Sequence, residues 1–187
     1  MKVANCFFAL PLPEEEITRF VELVGALKEM HLPVRFQKTE TAHLTLLYLG
    51  TVHEDKLSRA VEHIREIASQ TRPFAVTVTG CGHFGSARYP RVVWLGAAAT
   101  DALTGLQNTI REQVANYAEK KDDRPFHAHL TIARISSAKG YSAAQPDVEA
   151  RCSRYTFRFQ ADRIRLYTAD QRTGERQIPS GDFLFSQ

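Results

Sequence analysis

Two tetrapeptides in this chain pair an imidazole with a hydroxyl two residues later. Residues 43–46 read His-Leu-Thr-Leu, and residues 129–132 read His-Leu-Thr-Ile. Both lie in short apolar runs that predict β-strands. Strand side chains alternate between faces. His43 and Thr45 therefore share one face, with Leu44 and Leu46 on the other. His129 and Thr131 are separated from Leu130 and Ile132 in the same way. Each copy anchors itself with aliphatic residues and presents an imidazole and a hydroxyl together.

Displacement at a phosphodiester wants such a duplicate. The attacking and leaving oxygens lie on opposite sides of phosphorus in an in-line reaction. One group takes the proton of the attacking water and another protonates the leaving oxygen. Histidine suits both tasks, because its ordinary pKa of about 6.5 lies near working pH. Thr45 and Thr131 hydroxyls can donate to non-bridging oxygens. Arg134 ends the run His129-Leu-Thr-Ile-Ala-Arg, and its planar fork matches phosphate oxygens. Strict alternation turns Arg134 away from His129, so a bend or bulge is required to bring it in. No metal is needed. A single H-x-T tetrapeptide arises easily by chance, and a lone strand histidine is more often a satisfied polar group. Two copies on two strands are harder to dismiss.

The elements that must carry these residues follow from periodicity. The chain has 187 residues, 43% hydrophobic and 24% charged, with 10 glycines and 8 prolines. That is a soluble globular composition, neither collagenous nor disordered. Strands are expected at 3–10, 33–38, 43–49, 74–80, 91–96, 127–134, 154–160, 162–168 and 175–178, with a turn at Gln171–Gly174 joining the last two. Gly82, Gly85 and Pro90 mark a loop between the strands at 74–80 and 91–96. Helices are expected at 13–30, 53–70 and 100–119. The segment 136–150 is rich in Ser, Ala, Gly and Pro and reads as an exposed loop. The class is α+β, with helices on a mainly antiparallel sheet. One domain, residues 1–187, is expected.

No run approaches the ~18 apolar residues that span a membrane. Asn5, Pro11 and Pro13 break the first apolar stretch before Glu14-Glu15-Glu16, which does not suit a signal peptide. A cytoplasmic protein is expected. Cys6, Cys81 and Cys152 form neither a disulfide framework nor a zinc spacing. They read as free thiols.

These residues resemble the two-histidine (2H) phosphoesterase superfamily, whose signature is two H-x-[ST]-[aliphatic] motifs. The likeness is to its RNA 2′,3′-cyclic phosphodiesterases, the 2′-5′ RNA ligase-like or LigT-like proteins. CFFALPLPEE, TAHLTLLYLG, PRVVWLG and RPFHAHLTIAR carry it in order across most of the chain. The resemblance implies a bilobal fold, two pseudo-symmetric lobes around a central groove with one motif in each. It implies hydrolysis of a 2′,3′-cyclic phosphate RNA end to a 2′-phosphate, without metal or cofactor, and a reversible 2′-5′ ligase activity in some members. His43 would be the acid and His129 the base. Thr45 and Thr131 would bind phosphate, and Arg134 would contact the nucleotide or phosphate. The partners implied are RNA 3′ ends or small cyclic nucleotides, with no membrane and no obligate protein. The chain departs from relatives at Asn5-Cys6, where a basic residue is frequent, and at Ala128, where proline is common.

Other readings stand beside this one. A non-catalytic RNA-end binder would need the hydroxyls and the arginine but not two imidazoles. His127 and His129 form H-x-H, a possible metal pair for a phosphohydrolase, yet neighbouring ligands are few. His31, His53, His63 and His83 read as surface or capping residues. Trp94 and Phe7 read as core, and Phe8 and Phe126 as candidates for base contact. The net charge of +3 is uninformative as a total. Arg151, Arg154, Arg158, Arg163, Arg165, Arg172 and Arg176 concentrate it in the tail, as either a solvated sheet face or an RNA backbone track.

Overall fold

Alternating and helical apolar patterns in the chain are realised as nine strands and four helices in a computed structural model that describes residues 1–120, 124–169 and 177–186. The elements are β1 (Lys2–Pro11), α1 (Glu14–Lys28), β2 (Val34–Phe36), β3 (His43–His53), α2 (Glu54–Gln70), β4 (Phe74–Ser86), β5 (Tyr89–Ala97), α3 (Asp101–Val114), β6 (His129–Ile135), α4 (Ala138–Cys152), β7 (Phe157–Ala161), β8 (Arg163–Ala169) and β9 (Ile178–Leu184). The expected turn at Gln171–Gly174, the start of the strand expected at 175–178, and Arg172 and Arg176 lie outside the described residues.

All pairings are antiparallel and join the strands into one sheet, in the order β7-β4-β5-β6-β3-β1-β8-β9, with β2 pairing β6 off that path. The α+β class stands. The sheet divides at the β3–β6 contact into β7-β4-β5-β6, with β2 added on β6, and β3-β1-β8-β9, and each group places its H-x-T strand next to the contact. That contact is a single bonded pair, Leu44 with Leu130.

Helices supply the main core. Phe20, Leu23 and Leu27 of α1, Ile64 of α2 and Leu103 and Ile110 of α3 are buried with Leu44, Leu46, Leu130 and Ile132 of the motif strands. Three glutamates open α1, where they complement its dipole. Thr100 caps α3 by accepting from the Leu103 amide at 3.3 Å. No helix among the described residues is long and apolar enough to cross a membrane.

Two expectations are corrected. The 136–150 loop is mostly α4. Its weak formers are overridden by Tyr141, Val148 and Cys152, which share one helical face and are all buried. Ser137 caps it, and Pro146 sits inside it. Likewise Gly82, Gly85 and Pro90 lie within the long β4–β5 hairpin rather than in a loop. Gly82 is there because Trp94 on β5 lies across it. A Cβ at Gly82 would come within 2.5 Å of the indole ring. Gly82→Ala is accordingly expected to lower stability by about 1–3 kcal/mol, the usual cost of overpacking. A chemical melt unchanged from wild type would remove this account.

Candidate active site

Leu44 and Leu130 point into the core, so the residues flanking each belong to the opposite face. Counting outward from this antiparallel pair, His43 comes opposite Thr131 and Thr45 opposite His129. The four polar motif residues therefore gather at one seam, all half-buried. The strands part on either side of the pair, leaving a cleft of about 390 Å³ lined by Thr45, Tyr48, Phe84, His129, Thr131 and Arg134 among others. A second depression, about 450 Å³ between α2 and α3, has Arg72 as its one charged lining residue and no pair of titratable groups.

Arg134 reaches the cleft through a bulge. Val93 of β5 pairs with Ala133, but Trp94 pairs with Thr131, so Ile132 is an extra residue in β6. Ile132 and Ala133 are both buried, and alternation resumes one residue late. The face of Arg134 is thereby exchanged.

Both histidines are held by the same device. Nδ1 of His43 lies 2.6 Å from the Thr41 carbonyl oxygen. Nδ1 of His129 lies 2.6 Å from the His127 carbonyl oxygen. A carbonyl only accepts, so each Nδ1 carries the proton and donates it. Nε2 is the ring nitrogen left for chemistry in both. Burial holds His43 at about 4, with the Thr41 bond opposing and the charge of His129 adding to the depression. Burial also brings His129 below its ordinary value, opposed by its bond to His127.

The surroundings of the two rings differ. His43 packs on Phe7, at 4.8 Å between centroids, and on Tyr167, at 4.9 Å. Phe7, Ala9 and Tyr167 form a small apolar cluster separate from the main core. His129 meets Phe84 edge to face, at 4.7 Å and 88°. Trp94 supports the same corner, with His127 edge-on at 4.5 Å.

The aromatic expectations fare differently. Phe8 is fully buried in the main core, which removes it as a base contact. Phe7 is buried as expected, in the small cluster on the site face beside His43. Trp94 is half-buried against His127 rather than inside the core. Both faces of β1 are covered, so Cys6 to Leu10 are uniformly buried and their composition carried no face signal. Phe126 lines the cleft. Asn5, one of the departures, accepts from the Tyr48 hydroxyl at 2.6 Å.

The remaining candidates scatter. His31 bonds the Glu29 carbonyl, His53 precedes α2, His63 meets the Tyr117 hydroxyl and His83 meets Gln145. Among the described residues no group of three or more His, Cys, Asp and Glu side chains converges on a metal-sized site. His127 is exposed and precedes β6, with its ring 6.2 Å from that of His129. In the tail, Arg163 forms a fork with Asp162 and also reaches Asp182, which Arg165 grips through two nitrogens. That pairing suits a solvated sheet face more than a track of open charges.

A family model described as the 2′-5′ RNA ligase superfamily matches residues 13–173. An RNA 2′,3′-cyclic phosphodiesterase of Archaeoglobus fulgidus is 38% identical over 102 residues, which cover 54% of this chain and 56% of that protein. One of Geobacillus stearothermophilus is 30% identical over 168 residues, covering 89% of this chain and 52% of that protein. The matched part thus spans about half the length of these two curated relatives. The crystal structure of E. coli LigT complexed with 3′-AMP has a TM-score of 0.73 at 24% identity, over 99% of both chains. That likeness is one of fold.

Proposed function

The chain belongs to the 2′-5′ RNA ligase superfamily, whose model matches it over residues 13–173, and from this we propose that it hydrolyses RNA 2′,3′-cyclic phosphate ends to 2′-phosphomonoesters. The observation that carries the reading is the pair of motif histidines at the β3–β6 seam, each with Nδ1 donated to a backbone carbonyl and Nε2 left free.

In this reading the cyclic phosphate sits at the β3–β6 seam between the two rings, beside the cleft that His129 lines. Nε2 of His129 takes a proton from water as its oxygen attacks phosphorus. The bond from phosphorus to the ribose 3′-oxygen breaks, and Nε2 of His43 gives that oxygen its proton. One water is consumed, and the products are a 2′-phosphate and a 3′-hydroxyl on the same ribose. Thr45 and Thr131 donate to the non-bridging oxygens, where charge grows in the transition state. Arg134 contacts the phosphate or the nucleotide. In the empty site both imidazoles are neutral near pH 7, as their lowered values require. The anionic phosphodiester favours the imidazolium, so binding is what supplies the acid its proton. With a ribose 5′-hydroxyl attacking in place of water, the same residues would open the cyclic phosphate into a 2′-5′ linkage and a free 3′-hydroxyl, and the reverse step would regenerate the cyclic end and release the 5′-hydroxyl.

The reading puts residues 1–187 in one catalytic domain with one motif in each half of the sheet. Its substrates are RNA 3′ ends or small cyclic nucleotides, and its place is the cytoplasm. Three free cysteines accord with a reducing compartment.

The test is incubation of the purified chain with a short RNA ending in a cyclic phosphate, with and without EDTA. A 2′-phosphate end formed at the same rate in both samples is expected. Loss on chelation with recovery on zinc or manganese would instead support metal chemistry at His127 and His129. Salt-sensitive binding with no product over hours would make the chain an RNA-end binder. A 3′-phosphate product would reverse the assignment of the leaving oxygen.

A further inference from the structure

The two H-x-T copies are near-duplicates in sequence, yet their histidines are not equivalent in their surroundings. The difference lies on β8, which neither motif contains. Tyr167 is 1% exposed. Its ring stacks on Phe7 at 5.0 Å and 11°, and lies 4.9 Å from the ring of His43. Phe7 of β1 pairs with Tyr167 on one side and with Tyr48 on the other, while His43 pairs with Pro11 four residues on, so the contact is made by the rings reaching along β1 and not by direct register. Strand β1 thus carries β8 and β3 side by side, and their side chains converge above it.

Tyr167 has an ion network behind it. The Arg165 guanidinium, two residues earlier and so on the same face, lies near the Tyr167 hydroxyl and favours its ionised form, while burial opposes that. Asp182 of β9 holds the Arg165 guanidinium through Nε and one terminal nitrogen, the latter at 2.7 Å. Arg163 braces Asp182 at 3.2 Å and is forked to Asp162. A carboxylate, a guanidinium, a phenol and an imidazole therefore run in sequence from the sheet edge to the seam. Among the described residues no such run of charged groups and phenol stands behind His129, which has Phe84 edge to face at 4.7 Å, His127 and Trp94 further off at 6.2 and 6.4 Å, and lines the cleft.

We propose that Tyr167, backed by Arg165 and Asp182, is a positioning residue for His43: its ring, stacked on Phe7, makes with it a wall against which the imidazole packs, and keeps water from that side. The arginines at 163 and 165 then serve the site by anchoring Tyr167 instead of tracking an RNA backbone. The inference rests on His43 being one of the reacting groups. Wall and bond act together. The Thr41 carbonyl sets the tautomer, and the stacked Phe7–Tyr167 pair limits the tilt of the ring. The charged or titratable groups near His43 from its packing neighbours are His129 on β6, Tyr167 and Arg165 on β8 and Asp182 on β9, with neutral Phe7 on β1. The wall excludes solvent from that side of the ring, and burial is the main cause of the low His43 value.

The experiment follows the imidazole signals of His43 and His129 by NMR across pH, alongside kcat and KM on a cyclic-phosphate RNA end. Tyr167→Leu removes the flat wall while keeping bulk. It is expected to move the His43 midpoint upward toward 6.5 by at least one pH unit and leave His129 in place. It should lower kcat at least tenfold with KM within about twofold. Tyr167→Phe keeps the ring and is expected to restore most of both. Arg165→Gln, at a half-buried position of the ion network, tests the anchor without removing the wall. It should shift His43 in the same direction by less. An unmoved His43 midpoint in both Tyr167→Leu and Arg165→Gln would overturn the proposal, leaving Tyr167 a packing residue. A rise in KM at constant kcat would overturn it too, by making Tyr167 a substrate contact. If wild type turns over no cyclic phosphate, the enzymatic reading falls, and the NMR midpoints still decide the positioning role.

Discussion

His43→Ala and His129→Ala are each expected to lower kcat on an RNA 2′,3′-cyclic phosphate by about 10²–10⁴-fold, the range that positioned acid or base catalysis contributes. Neither substitution should unfold the chain. Both side chains are half-buried on the site face, and the aliphatic residues that hold the strands, Leu44 and Leu130, are untouched. His43→Ala removes a ring packed against the stacked Phe7–Tyr167 pair and should lower the melting temperature somewhat more than His129→Ala. The double variant is expected to lose little beyond either single one. Acid and base act in one proton-transfer step, so removing either disables the pair, and such losses do not add. Single-turnover rates with matched circular dichroism spectra measure this. A single variant within tenfold of wild type would take that histidine out of the mechanism. Losses that multiply would show two independent contributions instead of a pair.

The second large effect is on pH dependence. Catalysis by this pair needs one imidazole protonated and the other neutral. In the free enzyme His43 sits at about 4, and His129 also lies below 6.5. The singly protonated pair therefore dominates on the acidic side of 6.5. kcat/KM reports the free enzyme, so its optimum is expected below pH 6.5, with a fall of about tenfold for each pH unit above 7. The apparent values belong to the coupled pair. The same bell appears whichever ring is the acid, so the profile tests the pair and not the roles. The profile of kcat should be displaced to higher pH, because bound phosphate favours the imidazolium. A kcat/KM that is flat or rising from pH 6 to pH 9 would be incompatible with the two-histidine reading. Tyr167→Leu offers an internal check, since a raised His43 midpoint moves the acidic limb upward and leaves the limb governed by His129.

Much of this was legible in the chain because strand alternation is local. His43 with Thr45, and His129 with Thr131, share faces by the pleat alone, and Leu44, Leu46, Leu130 and Ile132 point to the core for the same reason. The helices at α1, α2 and α3 were likewise visible as apolar stripes. Helix α4 was not, because three buried residues at wide spacing, Tyr141, Val148 and Cys152, outweigh a run of poor formers, and that weight comes from what they pack against. The β4–β5 hairpin was hidden by glycines that mark a close approach. Gly82 makes room for Trp94, and the loop reading of Gly82 took that space for a turn.

The sequence by itself determined the four polar motif residues, their pairing by face and the chemistry they suit, since residue type and a two-residue period settle those. Only the tertiary structure decided that the two strands meet at Leu44 and Leu130, which sets each histidine opposite the other motif's threonine. It also decided the bulge at Ile132 that turns Arg134 into the cleft, and the stacked Phe7–Tyr167 wall beside His43. Each of these depends on register between segments far apart in the chain. Two nearly identical tetrapeptides become two different imidazoles because burial is a property of neighbours, and those neighbours are brought in by β1, β5 and β8.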